Sequence, residues 1–137
     1  MSNDFFVYTD GASRGNPGKA AGGFLIYDRK KNLLYEEGEY LGRATNNEAE
    51  YKAVILALNK LVKLKANKAF FFLDSLLVVK QLNGEYKVKE PRMQQLNRRI
   101  KSLIFDNNLE IDFKHISRDK NKEADAIVNK VLDNLKN

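Results

Sequence analysis

The heptapeptide AFFFLDS, residues 69–75, places five consecutive apolar residues directly before an aspartate and a serine. A continuous apolar run of this length is typical of a β-strand that is buried on both faces. Asp74 and Ser75 end the run, and the apolar residues 76–82 that follow favour a short helix. The stretch therefore predicts a central strand of an α/β sheet with a carboxylate at its end.

The spacing of apolar residues predicts the elements on either side of this strand. Between residues 46 and 64 they recur at helical spacing, and Thr45 or Asn46 is a suitable N-cap. Short β-prone runs joined by turns precede this helix and predict an antiparallel meander, in which we interpret residues 11–22 as the first turn. The expected order is β-β-β-α-β-α-α-β-α, at residues 5–9, 23–27, 33–41, 46–64, 69–73, 76–82, 91–105, 109–115 and 122–135.

The connections between these elements decide the topology. Helical crossovers favour parallel strand pairing, whereas the first three strands are expected to be antiparallel. We therefore predict an α/β fold with a mixed five-stranded sheet flanked by helices. At 137 residues, the chain is expected to form a single domain over residues 1–137. In such sheets, functional sites tend to lie beyond the carboxyl ends of the strands.

The composition excludes several kinds of site. The chain has no cysteine and one histidine, so it has no disulfide framework, no thiolate nucleophile and no zinc site built on cysteine. Any metal would need hard oxygen ligands, as Mg²⁺, Mn²⁺ and Ca²⁺ prefer. No run approaches the ~20 apolar residues of a membrane span, and the N-terminus lacks the basic region of a signal peptide. We expect a cytoplasmic protein with no membrane partner.

Basic residues are concentrated in the middle of the chain. The sequence carries 24 Lys and Arg against 18 Asp and Glu, which gives a net charge of +6. Residues 60–101 alone contain 11 Lys and Arg against 3 Asp and Glu. A one-sided basic stretch of this kind is typical of nucleic-acid binding, and a solvated, Lys-rich helix face explains it equally well.

Four carboxylates occupy positions where the expected fold would place a site. Asp10 and Asp74 each follow an apolar strand. Glu50 lies one turn into the helix between those strands, and Asp125 lies near the start of the last helix. Taken singly, each is as well explained as a turn residue or as a complement to a helix dipole. Two carboxylates at neighbouring strand ends repel each other, however, and Mg²⁺ is the natural compensating cation because the chain has no cysteine and one histidine. A pair of Mg²⁺ ions held by clustered carboxylates can drive phosphodiester cleavage.

Four segments of the sequence together resemble the motifs of the type 1 ribonuclease H family. The first reads YTDGASRGNPG at residues 8–18, and the second reads TNNEAEY at residues 45–51, which is similar to the family's TNN-x-x-E motif. LDS at residues 73–75 and NKEAD at residues 121–125 resemble the third and fourth motifs. The four occur in the family's order and span almost the whole chain. The resemblance implies the ribonuclease H-like fold, in a compact form without a hybrid-binding domain.

The same resemblance implies an endonuclease that cuts the RNA strand of RNA–DNA hybrids and leaves 5′-phosphate and 3′-hydroxyl ends. The family's metal-ligating acids match Asp10, Glu50, Asp74 and Asp125. They would hold two Mg²⁺ ions, for which Mn²⁺ is a substitute. Glu48 lies two places before the catalytic position, and we interpret it as a solvent-facing acid of the first helical turn. Two alternatives stay open: a nuclease of the same fold that also cuts double-stranded RNA, and a nucleic-acid-binding module without the chemistry.

Contacts with both strands of the hybrid are also implied by the resemblance. Arg43 and Thr45 resemble residues that hold a DNA phosphate, and Thr45 adjoins a helix N-terminus, where phosphate is favoured. Asn46 and Asn47 resemble residues that touch the minor groove, and Asn16 flanks the site from the other side. An amide can both donate and accept, which suits recognition of a 2′-hydroxyl. For Asn46, a simple helix N-cap is the alternative.

The sequence departs from the family after its last strand. Many members carry a mobile histidine there, in a loop that contains glycine. His115 has the matching ten-residue spacing before Asp125, but its strand parity also fits a packed strand-end residue. Arg118 is the alternative for assisting the leaving group or product phosphate. The basic handle of longer members is absent or shortened between residues 82 and 91, and Lys80, Lys87 and Lys89, with Tyr86, are the candidates for a reduced handle. We expect an RNA–DNA hybrid as the partner and a monomeric protein.

Overall fold

Every strand and helix expected from the sequence is present in the computed structural model, which describes residues 4–135. The strands are β1 (Asp4–Gly15), β2 (Gly18–Tyr27), β3 (Leu33–Ala44), β4 (Lys68–Leu73) and β5 (Glu110–His115). The helices are α1 (Asn46–Lys63), α2 (Leu76–Leu82), α3 (Pro91–Asp106) and α4 (Lys122–Asp133), with a short 3₁₀ turn at Arg118–Lys120. Within this part of the chain, no helix combines the length and the apolar character that a membrane crossing requires.

The strands form one mixed sheet in the order β3-β2-β1-β4-β5. β1, β2 and β3 pair antiparallel, and β4 pairs in parallel with both β1 and β5. The tight hairpin connections allow the antiparallel pairs, whereas α1 provides the longer crossover that a parallel pair needs. The predicted mixed five-stranded α/β sheet is confirmed.

The first hairpin is longer than the sequence indicated. β1 and β2 remain paired through Gly15 and Gly18, so the turn consists of only Asn16 and Pro17, and the interpretation of residues 11–22 as a turn is wrong. The glycine at position 11 serves close packing instead, because an added Cβ would lie 2.2 Å from the carbonyl oxygen of Ala49. The backbones of β1 and α1 are therefore in direct contact.

Helices cover both faces of the sheet. A Cβ on Gly22 would lie 3.2 Å from Ala53 of α1, whereas a Cβ on the next residue, Gly23, would lie 2.8 Å from Ile127 of α4. Since successive strand residues face opposite sides, α1 and α4 lie on opposite faces. The larger core lies on the α1 side and contains fully buried side chains such as Phe71.

Helix α1 begins with a reciprocal capping box. The hydroxyl of Thr45 accepts from the Glu48 N–H at 3.1 Å, and the Glu48 carboxylate accepts from the Thr45 N–H at 3.0 Å. Thr45 is therefore the N-cap, and the alternative in which Asn46 caps the helix is wrong. Glu48 is only 6% exposed, so its interpretation as a solvent-facing acid is also wrong. The reason is that two otherwise unpaired N–H groups at the helix start are satisfied by this pair.

Candidate active site

Three carboxylates meet where β1 and β4 separate. Asp10 on β1, Glu50 on α1 and Asp74 directly after β4 each offer one oxygen, and these oxygens all lie within 4.8 Å of one another. β1 and β4 are paired only as far as Tyr8 and Phe72. The sheet therefore opens at the level of Asp10, which lies inside the long first strand rather than at its end.

Glu50 reaches this position because α1 lies directly on β1. The missing side chain at Gly11 allows the Ala49 carbonyl and the Glu50 N–H to approach the strand. The residue after Asp10 is therefore in contact with the residue before Glu50. This backbone contact fixes the spacing of the two carboxylates without a flexible loop between them.

Burial strongly raises the pKa values of two carboxyl groups in the acidic cluster. Burial raises the pKa of Asp10 to about 7, and the nearby carboxylates of Asp74 and Asp125 add to the rise. Burial also raises the pKa of Glu50 well above its ordinary value, and repulsion by Asp10 is the second cause. One Glu50 oxygen, Oε2, is buried and has no hydrogen-bond partner among the described residues. Such a cluster favours either a proton or a cation.

Asp125 and Arg118 face the same space as the three clustered acids. This space, which we call the acidic cavity, has a volume of about 420 Å³, within the size range of small-molecule sites. Asp125 lies in the first turn of α4, where its carboxylate accepts from Asn129 Nδ2 at 3.2 Å. Arg118 lies on the exposed 3₁₀ turn before α4. The structure thus brings all four predicted acids to one cavity from four different elements.

Asn121 belongs to the site, although sequence reasoning assigned it no role. Its side chain is fully buried, and its Nδ2 donates to the Thr9 carbonyl at 2.9 Å and to Asp74 Oδ2 at 3.0 Å. It therefore ties the start of α4 to β1 and orients the Asp74 carboxylate. The only sequence signal was its place in the segment NKEAD, because both partners are distant in the chain.

Two of the predicted substrate-binding asparagines fasten the first hairpin to α1. Asn16 Oδ1 accepts from the Asn46 N–H at 3.0 Å, and Asn46 Oδ1 accepts from the Ser13 N–H at 2.7 Å. Both side chains are exposed. Their carbonyl groups are thus used within the protein, and their NH₂ groups are directed to no hydrogen-bond partner among residues 4–135.

A second cavity, of about 480 Å³, collects most of the other predicted substrate-binding residues. We refer to it as the grip cavity, and its lining includes Asn16, Thr45, Asn47, Lys87 and Lys89. Arg92, which sequence reasoning did not single out, lines it as well, with its guanidinium 3.9 Å from the Glu48 carboxylate. Asn47 lines both the grip cavity and the acidic cavity.

Two other predicted residues lie apart from these cavities. Arg43 is exposed on β3 opposite Lys19 and is not among the lining residues of either cavity. His115 ends β5 opposite Leu73 and is exposed, so the alternative in which it is a packed strand-end residue is wrong. Arg118, and not His115, lines the acidic cavity.

The sheet order and the buried acidic cluster together define a protein of the ribonuclease H-like fold class. Residues 8–131 match the family model described as "Reverse transcriptase-like". RNase H1 from the halophilic archaeon Halobacterium salinarum NRC-1 is 36% identical with a TM-score of 0.92, and the match covers 96% of this chain and 99% of that one. LC11-RNase H1, solved in complex with an RNA/DNA hybrid, is 40% identical with a TM-score of 0.91, over 94% of this chain and 96% of that one.

The chain belongs to the type 1 ribonuclease H family, which confirms the resemblance seen in the sequence. Ribonuclease HI of Halobacterium salinarum is 39% identical over 129 residues, which cover 93% of this chain and 63% of that protein. A bifunctional protein of Mycobacterium tuberculosis is 38% identical over 128 residues, which cover 35% of its length. The chain thus spans less than two-thirds of the length of these curated relatives.

Proposed function

We propose that this chain is a ribonuclease H, an endonuclease that hydrolyses the RNA strand of RNA–DNA hybrids and leaves 5′-phosphate and 3′-hydroxyl ends. The observation that carries the proposal is the cluster of Asp10, Glu50 and Asp74 in a chain of this family. The complex of LC11-RNase H1 with an RNA/DNA hybrid supports the same substrate class. A single catalytic domain of residues 1–137, a monomeric state and a cytoplasmic location belong to the same proposal.

Divalent cations fit the acidic cluster. Its donors are carboxylate oxygens, which are the ligands that Mg²⁺ and Mn²⁺ prefer. The buried Oε2 of Glu50 has no partner among residues 4–135 and is therefore available to a cation. We propose that Asp10, Glu50, Asp74 and Asp125 hold two Mg²⁺ ions, for which Mn²⁺ is a substitute. When bound, such ions activate a water molecule and stabilise the departing 3′-oxygen.

The protein's own groups orient the carboxylates and hold the product phosphate. Asn121 donates to Asp74 at 3.0 Å and so limits the carboxylate to one orientation. Arg118 lines the acidic cavity and is permanently charged, which suits the phosphate left by cleavage. We assign the assisting role to Arg118 rather than to His115, because only Arg118 faces the cavity.

Selection of the hybrid requires groups other than the metal ligands, because RNA and DNA carry the same phosphodiester. In our proposal the grip cavity holds a phosphate of the DNA strand, with Thr45 at a helix N-terminus and Lys87 and Lys89 as cations. Asn47 lies between the two cavities and has no hydrogen-bond partner among residues 4–135. Its amide suits a 2′-hydroxyl of the RNA strand, which both donates and accepts. Arg43 would contact the DNA backbone from outside the cavity.

A cleavage assay on labelled duplexes tests the proposed function. RNA–DNA, RNA–RNA and DNA–DNA duplexes are incubated with Mg²⁺ or with EDTA, and Asp10→Asn serves as the inactive control. We expect only the RNA strand of the hybrid to be cut, only with the metal, and with 5′-phosphate ends. Comparable cleavage of the RNA–RNA duplex would indicate the broader nuclease. Hybrid binding without cleavage would indicate a binding module and contradict the proposal.

A further inference from the structure

Helix α4 covers only part of its face of the sheet. It packs where Gly23 and Gly38 leave room for Ile127. The neighbouring part of the same face carries half-buried aromatic side chains from β1 and β4, namely Phe6, Tyr8, Phe70 and Phe72. Their rings stack in pairs across the two strands, with centroids 5.2 Å apart for Phe6–Phe70 and 4.9 Å apart for Tyr8–Phe72. The result is a surface of stacked aromatic rings beside α4.

A cavity of about 360 Å³ lies where this surface meets the β2–β3 turn and the start of α4. We refer to it as the aromatic cavity, and its floor consists of Phe6, Tyr8, Leu25 and Tyr27. The rings of Tyr8 and Tyr27 stand edge to face, at 85° and 5.7 Å between centroids, so they form a corner. A concave, mostly apolar site of this volume falls in the range of small-ligand sites, roughly 300–1,000 Å³.

The rim of the aromatic cavity is charged. Three cations line it, namely Arg29, Lys31 and Lys120. Asp28 and Glu123 line it as well. The Asp28 carboxylate is engaged inside the turn, where it accepts from the N–H groups of Lys30 at 2.8 Å and Asn32 at 2.9 Å. The cavity therefore offers an anionic ligand more positive than negative charge.

The aromatic cavity adjoins the acidic site. Tyr8 of its floor precedes Asp10 by two residues on β1, a distance of about 7 Å along a strand. The short 3₁₀ turn places Arg118 in the acidic cavity and Lys120 in the aromatic cavity. A nucleic-acid strand that leaves the acidic site on this side therefore meets the aromatic cavity next.

We propose that the aromatic cavity binds a nucleotide, with the base against the aromatic floor and the phosphate on the cations of the rim. Its ligand is an unpaired nucleotide of the RNA strand where that strand extends beyond the hybrid, and the inference to this extent rests on the proposed function. Aromatic side chains combined with a cationic groove are the usual means of holding single strands without sequence preference. A free mononucleotide presents the same chemistry, and the experiment distinguishes the two sources.

The first arm of the test compares blunt hybrids with hybrids that carry a short single-stranded RNA extension at either end. The test variant combines Lys31→Asn with Tyr27→Leu. Lys31 has a φ of 67°, which asparagine tolerates, and leucine keeps an apolar cover without the aromatic ring. We expect the wild type to have a KM at least threefold lower for one extended hybrid than for the blunt one. The test variant should lose this difference and cleave the blunt hybrid normally.

Two controls carry comparable substitutions outside the aromatic cavity. Lys65→Asn changes another lysine at positive φ, 57°, and Phe105→Leu changes an aromatic residue that is 82% exposed on α3. Both controls should keep the preference for the extended hybrid. An equal loss in the controls would overturn the assignment to this cavity.

The second arm titrates the metal-free protein with uridine 5′-monophosphate and follows backbone amide resonances. Shifts confined to the residues that line the aromatic cavity, and lost in the test variant, would support the site with a free nucleotide as ligand even if the extension had no effect. The absence of both the extension effect and these shifts would overturn the proposal. A wild type that failed to cut the blunt hybrid would contradict the proposed function. The titration would still show whether the aromatic cavity binds a nucleotide.

Discussion

Asp10 destabilises the folded protein at neutral pH when no cation is bound. It is only 6% exposed, and burial raises its pKa from 3.8 to about 7. Between about pH 4 and pH 7 the unfolded chain has lost this proton while the folded protein keeps it. The contribution of this group to stability is therefore fully present below about pH 4 and is lost as the pH rises through about 7.

Asp10→Asn should remove this pH dependence together with the activity. In EDTA we expect the variant to be more stable than the wild type, by a margin that grows from pH 4.5 to pH 8. The margin is at most about 4 kcal/mol, because each pKa unit corresponds to about 1.4 kcal/mol. Urea unfolding at both pH values measures it. If this difference in stability did not change with pH, burial would not raise the pKa of Asp10.

Asn121→Asp should reduce turnover more than substrate binding. The substitution keeps the shape but replaces the NH₂ donor, so that a carboxylate oxygen faces Asp74 and the Thr9 carbonyl. We expect kcat to fall by roughly tenfold or more, a barrier increase of at least ~1.4 kcal/mol, and KM to stay within about twofold. The Mg²⁺ concentration for half-maximal activity should rise, because Asp74 loses its orientation.

Steady-state kinetics over a range of Mg²⁺ concentrations measure these three quantities. Asn134→Asp, at the exposed far end of α4, is the matched control and should behave as the wild type. If Asn121→Asp raised KM alone, Asn121 would not act through the acidic site.

At the scale of elements, the first turn of α1 separates two glutamates that are two residues apart in the sequence. Glu48 completes the capping box, whereas Glu50 belongs to the acidic cluster. Glutamine can still accept from the Thr45 N–H, so Glu48→Gln should leave turnover within about twofold of the wild type. Glu48→Ala should cost about 1 kcal/mol of stability. Glu50→Gln should lower cleavage to background, because a negative charge of the cluster is lost.

Urea unfolding and hybrid cleavage of these three variants check the assignment. Background cleavage by Glu48→Gln, with activity retained in Glu50→Gln, would mean that the two glutamates have exchanged roles.

The acidic cluster was predictable because strand ends and motif positions are local properties of the sequence. Asp74 follows a continuous apolar run, and Glu50 keeps a fixed place in its motif, so the predicted topology already directs both toward the strand that carries Asp10. The length of the first hairpin was not predictable, since the glycine at position 11 serves a contact with Ala49, which is distant in the sequence. The role of Asn121 in the site was not predictable from the sequence for the same reason. A buried amide is defined by its partners, and they belong to other elements.

At the scale of the whole molecule, the basic middle of the chain contributes the cationic side chains of the grip cavity. Lys87 and Lys89 are both exposed and line that cavity, opposite the start of α1. Binding through phosphates releases counterions, so hybrid affinity should fall steeply with salt. In Lys87→Ala/Lys89→Ala we expect KM to rise more than kcat falls, and the salt dependence to become shallower by up to about two phosphate contacts.

Kinetics on the hybrid between 50 and 300 mM salt measure the effect, with Lys65→Ala as a control lysine in the turn after α1. An unchanged KM in the double variant would leave the basic stretch as a solvated helix face.

Asn47 lines the grip cavity and the acidic cavity alike, and one turn of α1 connects the residues of both. A helical turn spans about 5.4 Å and does not stretch. If one cavity holds the DNA strand and the other cuts the RNA strand, the helix acts as a ruler, and each cut falls at a constant offset from the phosphate that is held. A DNA strand with one missing phosphate would then protect one position of the opposing RNA, and the cleavage ladder would show a gap at that offset.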